Sequence, residues 1–251
     1  MRRLVVIPVL GLTLLAGCGS KGKEPAADVA VLTQPAKCVD GSFRKLGSRR
    51  LAYAAVVRSR ATVYRRPGGG ALASFHRLNV NRVPTIFSIR GARVDAACKP
   101  RQFFVQIPRR PNGATAWVPA AAVDVEPVTT RILVDLSEKR VTLYDRGRKV
   151  LTARAAVGSP ATPTPTGSFY VNQRLIPLDR NGPFGPGAVG ISAFSEVLTG
   201  WTQGGPIAIH GTNAPWSIGR AVSNGCIRIR NPLLRKLFHR ALNGTPVLIR
   251  P

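Results

Sequence analysis

Two side chains in this sequence have the chemistry of a nucleophile and its base, and they lie close together. His210 ends the apolar run Ile207-Ala208-Ile209, and Cys226 follows sixteen residues later within Ser223-Asn224-Gly225-Cys226-Ile227-Arg228. A thiol attacks as its thiolate, so it needs an imidazole to take its proton or to pair with it. Gly225 beside the cysteine permits a tight turn that presents backbone N–H groups to a developing oxyanion. Zinc binding by the same residue types would need a third and a fourth ligand, and none stands at a recognisable spacing. No metal and no cofactor is expected. Residue types alone leave a purely structural role open for both His210 and Cys226. His76 has no partner nearby in sequence, and His239 reads as a cation near a helix end.

The elements that must position this pair are mostly strands. Thr130–Leu136 and Arg140–Tyr144 alternate apolar and polar residues around a turn at Ser137-Glu138-Lys139, as an antiparallel hairpin with one buried face does. A further strand is expected over Lys149–Val157. Ser159 to Gly167 is a loop, because Pro160, Pro163 and Pro165 cannot donate to a ladder. Ser168–Gln173 reads as a strand, Pro177 to Gly190 as a long irregular loop of the kind that forms lids or binding walls, and Pro206–His210 as a short apolar strand ending at the histidine. One helix is clear. Asn231 is placed to cap it, Pro232 suits its first turn, and Leu233, Leu234, Leu237, Phe238, Ala241 and Leu242 form an apolar stripe ending at Asn243-Gly244. A last strand follows over Pro246–Arg250.

Upstream, short apolar runs (Leu51–Val57, Thr62–Tyr64, Thr85–Ile89, Phe103–Ile107, Ala116–Val118) alternate with Gly/Pro/Asn turns, which suggests a small β-barrel or sandwich. The pair of runs ending in Trp117-Val118-Pro119 resembles the closing hairpin of a bacterial SH3-like domain. Glu126-Pro127 is the expected boundary, giving a small β domain over 38–126 and a second domain over 127–251.

The N-terminus points to export. Met1-Arg2-Arg3 precedes a short apolar stretch too brief to span a bilayer, and Leu15-Ala16-Gly17-Cys18 resembles the lipobox of bacterial lipoproteins. That resemblance implies a signal peptide over 1–17, lipid on Cys18 and a tether over 18–37 that is small and polar. The expected location is the outer face of the cytoplasmic membrane or the periplasm and cell-wall space. With Cys18 lipidated, three cysteines remain. The simplest partition bridges Cys38 and Cys98 and leaves Cys226 free; the alternative puts Cys226 in a bridge.

The run from Ile209 to Arg228 resembles the catalytic signature of the L,D-transpeptidase family, the YkuD-type domain. That signature is a His-Gly segment, about a dozen residues, then Ser/Thr-x-Gly-Cys and a pair such as Ile-Arg. Thr130–Tyr144, Thr164-Pro165-Thr166-Gly167-Ser168-Phe169 and Ile218-Gly219 agree with it. Asn224 stands where many members have His. The resemblance covers about residues 128–251 and implies a transpeptidase β-sandwich with a packed helix there; with the SH3-like barrel expected upstream, the protein reads as mainly β. The resemblance also implies a cysteine acyltransferase that joins peptidoglycan stem peptides by 3→3 cross-links and that carbapenems acylate. Water as acceptor, protein attachment to the wall, or a non-catalytic wall-binding role are the alternatives. Cys226 is then the nucleophile, His210 the base and acid, Gly211 the carbonyl that orients the imidazole, and Gly225 and Cys226 the oxyanion-hole amides. Arg228, Ser223, Asn224, Thr212 and Asn213 are the expected substrate-side residues, with a loop-bracing ion pair as the alternative for Arg228. Trp201 and Trp216 flank the segment as candidates for the cleft.

Charge sets the partner class. Across 251 residues, 37 Lys+Arg stand against 11 Asp+Glu, a formal +26, while 44% hydrophobic residues supply real cores. Such a chain favours polyanionic surroundings. Only 6% of residues are aromatic, which argues against a base-stacking platform. With export, this moves the expected partners from nucleic acid to stem peptides and a membrane reached by the lipid anchor. The oligomeric state is open.

Overall fold

The computed structural model describes residues 37–251, which form one compact unit. The expected leader, Cys18 and residues 18–36 of the expected tether lie outside them. Two sheets build the unit. The first contains β1 Phe43–Lys45, β2 Ala52–Val57, β3 Arg60–Tyr64, β4 Ala71–His76, β5 Ile86–Val94, β6 Pro100–Gln106, β7 Thr115–Pro119 and β8 Val123–Val128. The second contains β9 Thr130–Asp135, β10 Arg140–Asp145, β11 Arg148–Gly158, β12 Gly167–Leu175, β13 Ala188–Phe194, β14 Pro206–His210, β15 Ala221–Ser223, β16 Ile227–Ile229 and β17 Pro246–Arg250, with the helix α1 Asn231–Arg240 between β16 and β17. Among the described residues no helix is long and apolar enough to cross a membrane.

The first sheet runs β4-β3-β7-β6-β5-β2-β8, with β1 added beside β5. Its inward residues, such as Ala55, Val63, Phe87, Val105 and Val118, form one apolar cluster. Cys38 and Cys98 are bridged, joining the segment before β1 to the turn between β5 and β6. Closing a loop of that length restricts the unfolded chain more than the folded one. The β2–β8 ladder runs across the expected boundary. Glu126 and Pro127 lie inside β8, opposite Ala54 and Tyr53 of β2. β8 ends the strand order, and an edge position tolerates a proline that cannot donate. The chain changes sheets at Thr129 instead.

The second sheet runs β10-β9-β17-β12-β13-β14-β16-β11-β15, and a β10–β11 pairing closes the path on itself. The expected sandwich is thus one continuous closed ladder around a core that includes Ile132, Leu143, Val171, Ile209, Ile227, Leu234 and Leu237. The hairpin turn is fixed by Asp135, whose carboxylate accepts from Ser137 Oγ at 2.7 Å and the Glu138 N–H at 2.9 Å. Those bonds, with the Arg250 guanidinium, hold its pKa down to about 2. Leu234, Leu237 and Ala241 bury the inner face of α1, but Leu242 is exposed beyond its last turn. Asn231 is not the cap. Arg230 takes that position without a side-chain bond, and the Asn231 side chain reaches elsewhere, as described below. β13 begins within the last three residues of the expected loop and runs on into a stretch for which no element was expected. Six of its seven residues are buried, and a strand covered on both faces shows no alternation to read.

The two sheets share a small core of their own: Ala54, Ile86 and Val128 against Tyr170 of β12. The Tyr170 hydroxyl is fully buried and donates to the Ile86 carbonyl at 2.9 Å. Gln106 donates to the Ser168 carbonyl at 2.9 Å. Gly244 has φ +83°, and a Cβ there would lie 2.4 Å from Ala54 Cβ, so the turn after α1 approaches the first sheet only as glycine. Tyr170→Phe leaves the Ile86 carbonyl buried without its donor. It should cost about 1–3 kcal/mol, read as a lower urea midpoint with an unchanged slope; a midpoint equal to the parent's would show that this contact does not tie the sheets together.

Candidate active site

The sequence brings His210 and Cys226 together by strand pairing. β14 and β16 are parallel neighbours with Ile209 opposite Ile227 and His210 opposite Arg228. Alternate residues Ile207, Ile209, Ile227 and Ile229 point into the core. His210 ends β14, and Cys226 immediately precedes β16. Both line one cavity of about 700 Å3, together with Asn224 and Arg228.

The turn carrying Cys226 is braced from both sides. Ser223 Oγ donates to the Cys226 carbonyl at 2.5 Å and accepts the Gly225 N–H at 3.2 Å. The proline-rich loop supplies the outer brace: Thr164 Oγ1 donates to the Gly225 carbonyl at 2.8 Å and accepts the Gly158 N–H at 2.8 Å, while Thr162 Oγ1 donates to the Ser223 carbonyl at 3.0 Å. Gly225 has φ +104°, and a Cβ would sit 3.0 Å from Ile207 Cδ1. A side chain at this position would be strained by backbone and by space.

The histidine is oriented by its own chain. His210 is buried, and its Nδ1 lies 2.5 Å from the Gly211 carbonyl oxygen. A carbonyl only accepts, so Nδ1 carries the hydrogen and Nε2 keeps its lone pair. The Phe184 ring lies 5.0 Å from the imidazole. Gly211 is packed so tightly that a Cβ would meet Asn231 Oδ1 at 2.4 Å and Pro186 Cδ at 2.7 Å. Asn231 Oδ1 accepts the Thr212 N–H at 2.8 Å. The asparagine that sequence reading placed as a helix cap thus pins the loop after the histidine.

Electrostatics keep both reactive groups neutral. Burial pushes the His210 pKa down to about 4; the bond to Gly211 opposes this and the Arg228 charge adds to it. Burial pushes the Cys226 thiol above its usual range, against a backbone hydrogen bond from Ala208 and the Arg228 charge. Desolvation dominates in both cases.

Of the expected substrate-side residues, Arg228 and Asn224 line the cavity. Ser223 and Thr212 are both buried, with their hydroxyls bonded to local backbone, Thr212 Oγ1 accepting the Ala214 N–H at 2.9 Å. Asn213 is exposed and outside the cavity wall. The Gly225 N–H donates to Ser223 Oγ. The alternative for Arg228 does not form: among the described residues no ion pair involves it, and its Nε is buried without a partner. Trp201 lines the cavity. Trp216 does not; it stands exposed beneath the Arg220 guanidinium, 5.7 Å away. Sequence reading missed Phe184, Leu178, Asn81, Gln173 and Gln203 as lining residues. For Phe184 and Leu178 the length of the Gly/Pro-rich loop was the available signal; for the three carboxamides there was none.

Two pH dependences follow. Alkylation of Cys226 by iodoacetamide should keep rising with pH beyond the ordinary thiol range, without a neutral plateau; a plateau near neutrality would mean a stable thiolate–imidazolium pair. For His210 the folded pKa lies below the ordinary 6.5, so the unfolded chain takes the proton first. Its contribution to stability is present above pH 6.5 and is lost as pH falls toward 4. Denaturation of the parent and His210→Asn should show the parent losing more stability across that window; parallel curves would contradict the burial.

The family model of the L,D-transpeptidase catalytic domain (YkuD) matches residues 129–249, the second sheet with its helix. YkuD of Bacillus licheniformis is 41% identical over 127 residues, which are 50% of this chain and 68% of that protein. YkuD of Bacillus subtilis is 39% identical over 126 residues, 50% of this chain and 69% of that protein. Among solved structures, a cysteine-to-serine mutant of Enterococcus faecium L,D-transpeptidase matches with 27% identity and a TM-score of 0.37 over 48% of this chain, and the match spans 49% of that chain. Relatives matched at this identity over two thirds of their own length share a family, and this chain therefore belongs to the L,D-transpeptidases of the YkuD type.

Proposed function

We propose that the protein joins peptidoglycan stem peptides through a Cys226 thioester, making 3→3 cross-links. The observation that carries this reading is the placement of a neutral thiol, just before β16, and a tautomer-fixed imidazole, at the end of the neighbouring β14, in one cavity. Cys226 Sγ attacks the carbonyl of the third residue of a donor tetrapeptide while His210 Nε2 takes the thiol proton. The imidazolium then gives that proton to the departing D-alanine amine as the C–N bond breaks. A side-chain amine of a second stem attacks the thioester, His210 accepts its proton, and the thiol is reprotonated. With the Gly225 amide engaged, the amide of Cys226 itself is the nearest backbone group for the oxyanion.

Arg228 supplies the substrate charge. It is the charged side chain among the lining residues apart from the titratable pair, and its unpartnered Nε suits a carboxylate of the stem peptide. Leu178, Phe184 and Trp201 expose apolar surface at the cavity, which disfavours water as the competing acceptor. Export and lipidation of Cys18 place this chemistry at the cell envelope, with the 38–126 region as an SH3-like module between anchor and catalytic sheet. Cys18→Ala should release the protein from membranes; retention would contradict the anchor.

The test is digestion-free analysis of products from purified tetrapeptide stems. The expected products are D-alanine and a 3→3 dimer, with His210→Ala slower by about a hundred- to ten-thousand-fold and Cys226→Ala slower still. A carbapenem should add to the parent and not to Cys226→Ala. Tripeptide without dimer would make the protein a carboxypeptidase, and neither product nor adduct would leave it a wall-binding protein.

A further inference from the structure

We infer that the first sheet builds part of the substrate cavity: Asn81 lines it directly, and Asn81, Arg110 and Asn112 hold the 195–205 segment in place as its wall. The inference rests on the proposed stem-peptide reading. Segment 195–205 is a loop whose ends meet, the Ser195 N–H donating to the Gly205 carbonyl at 2.8 Å. It contributes Leu198, Trp201 and Gln203 to the cavity. Apart from that neck it has little regular structure of its own: one short 3-10 turn, with Gln203 inside it at φ +59°. A non-glycine residue in that conformation persists where its surroundings hold it.

The surroundings that hold it come from the first sheet. Arg110, in the β6–β7 connection, donates through Nη2 to the carbonyls of Ser195 and of Gly204, the latter at 2.9 Å, and its guanidinium lies 5.5 Å from the Phe194 ring. Asn112 pairs with the Phe194 backbone as a strand would: its Oδ1 accepts the N–H at 2.8 Å and its Nδ2 donates to the carbonyl at 2.9 Å. At the other end of the loop, Asn81 and Gln203 exchange amide hydrogen bonds at 2.9 and 3.3 Å. Asn81 Nδ2 also donates to Gln173 Oε1 on β12 at 2.9 Å, where Asn79 Nδ2 donates too at 3.0 Å. Asn79 keeps Asn81 in place by accepting its N–H at 2.9 Å.

The result is a carboxamide chain, Gln173–Asn81–Gln203, across the cavity edge. Each member lines the cavity. Carboxamides both donate and accept, which suits the alternating N–H and C=O groups of a peptide backbone. Asn81 is therefore a positioning and specificity residue for the peptide substrate, contributed by a sheet outside the 129–249 match.

The experiment measures tetrapeptide binding to the full chain carrying Cys226→Ser, with Asn81→Ala, Gln203→Ala or both added. In parallel, it measures iodoacetamide alkylation of Cys226 in proteins that retain the cysteine. The expected result is binding weaker by about tenfold for each single variant, a double variant no worse than either single one because the pair acts as a unit, and alkylation rates equal to the parent's. Arg110→Lys, which keeps the charge but loses the two-carbonyl grip, should weaken peptide binding in the same way. Unchanged binding in Asn81→Ala and Gln203→Ala, independent multiplication of their losses, or an equal fall in alkylation would overturn the inference while the stem-peptide reading stood. Absence of binding in the Cys226→Ser parent would overturn both.

Discussion

Desolvation of the reactive pair, His210 buried and Cys226 half-buried beside it, is the constraint on which the rest of the site depends. A thiol and an imidazole taken out of water together resist becoming thiolate and imidazolium, because each charge loses its hydration. The resting state is then two neutral groups, and in the proposed reaction the proton moves only when the sulfur attacks. Such a site gains from precise placement more than from a lowered thiol pKa, since proton transfer and bond formation must share one geometry. It also protects an unbridged thiol: the neutral form reacts slowly with oxidants and adventitious electrophiles.

Precise placement explains the amount of structure devoted to two short turns. The Cys226 turn is held by Ser223 from within and by Thr162 and Thr164 from outside. The His210 turn is held by Gly211, whose lack of a side chain lets Asn231 and Pro186 close in. Neither turn carries a charge of its own. The Arg228 charge beside both groups lowers the pKa of each, favouring thiolate and disfavouring imidazolium, so it does not stabilise a preformed pair. Among the described residues, Arg228 is the only permanently charged one that lines the cavity.

Much of this was legible in the sequence, for physical reasons that differ by element. β14 and the β9–β10 hairpin showed because one face of each is buried and apolar residues mark it. The helix showed because Leu234 and Leu237 share a stripe. The nearness of His210 and Cys226 showed because they stand within one short signature, which the family match over 129–249 includes. β13 did not show, because burial on both sides erases alternation. Asn231 was assigned to the helix start by its residue type, yet its side chain serves a loop distant in sequence. Asn81 and Arg110 were invisible for the same reason: their partners lie more than eighty residues away, and nothing local announces a contact set by how two sheets pack.

The central claim is that the resting site holds a neutral imidazole with its hydrogen on Nδ1, in one cavity with a neutral thiol. Nitrogen NMR of the His210 ring in the intact protein, at neutral pH and with His76 and His239 replaced to leave one signal, tests it most directly. The account predicts ring shifts of a neutral Nδ1–H tautomer, unchanged when Cys226 is replaced by serine and persisting to near pH 4. Two protonated ring nitrogens at neutral pH, reverting to one in Cys226→Ser, would show a thiolate–imidazolium pair and contradict it.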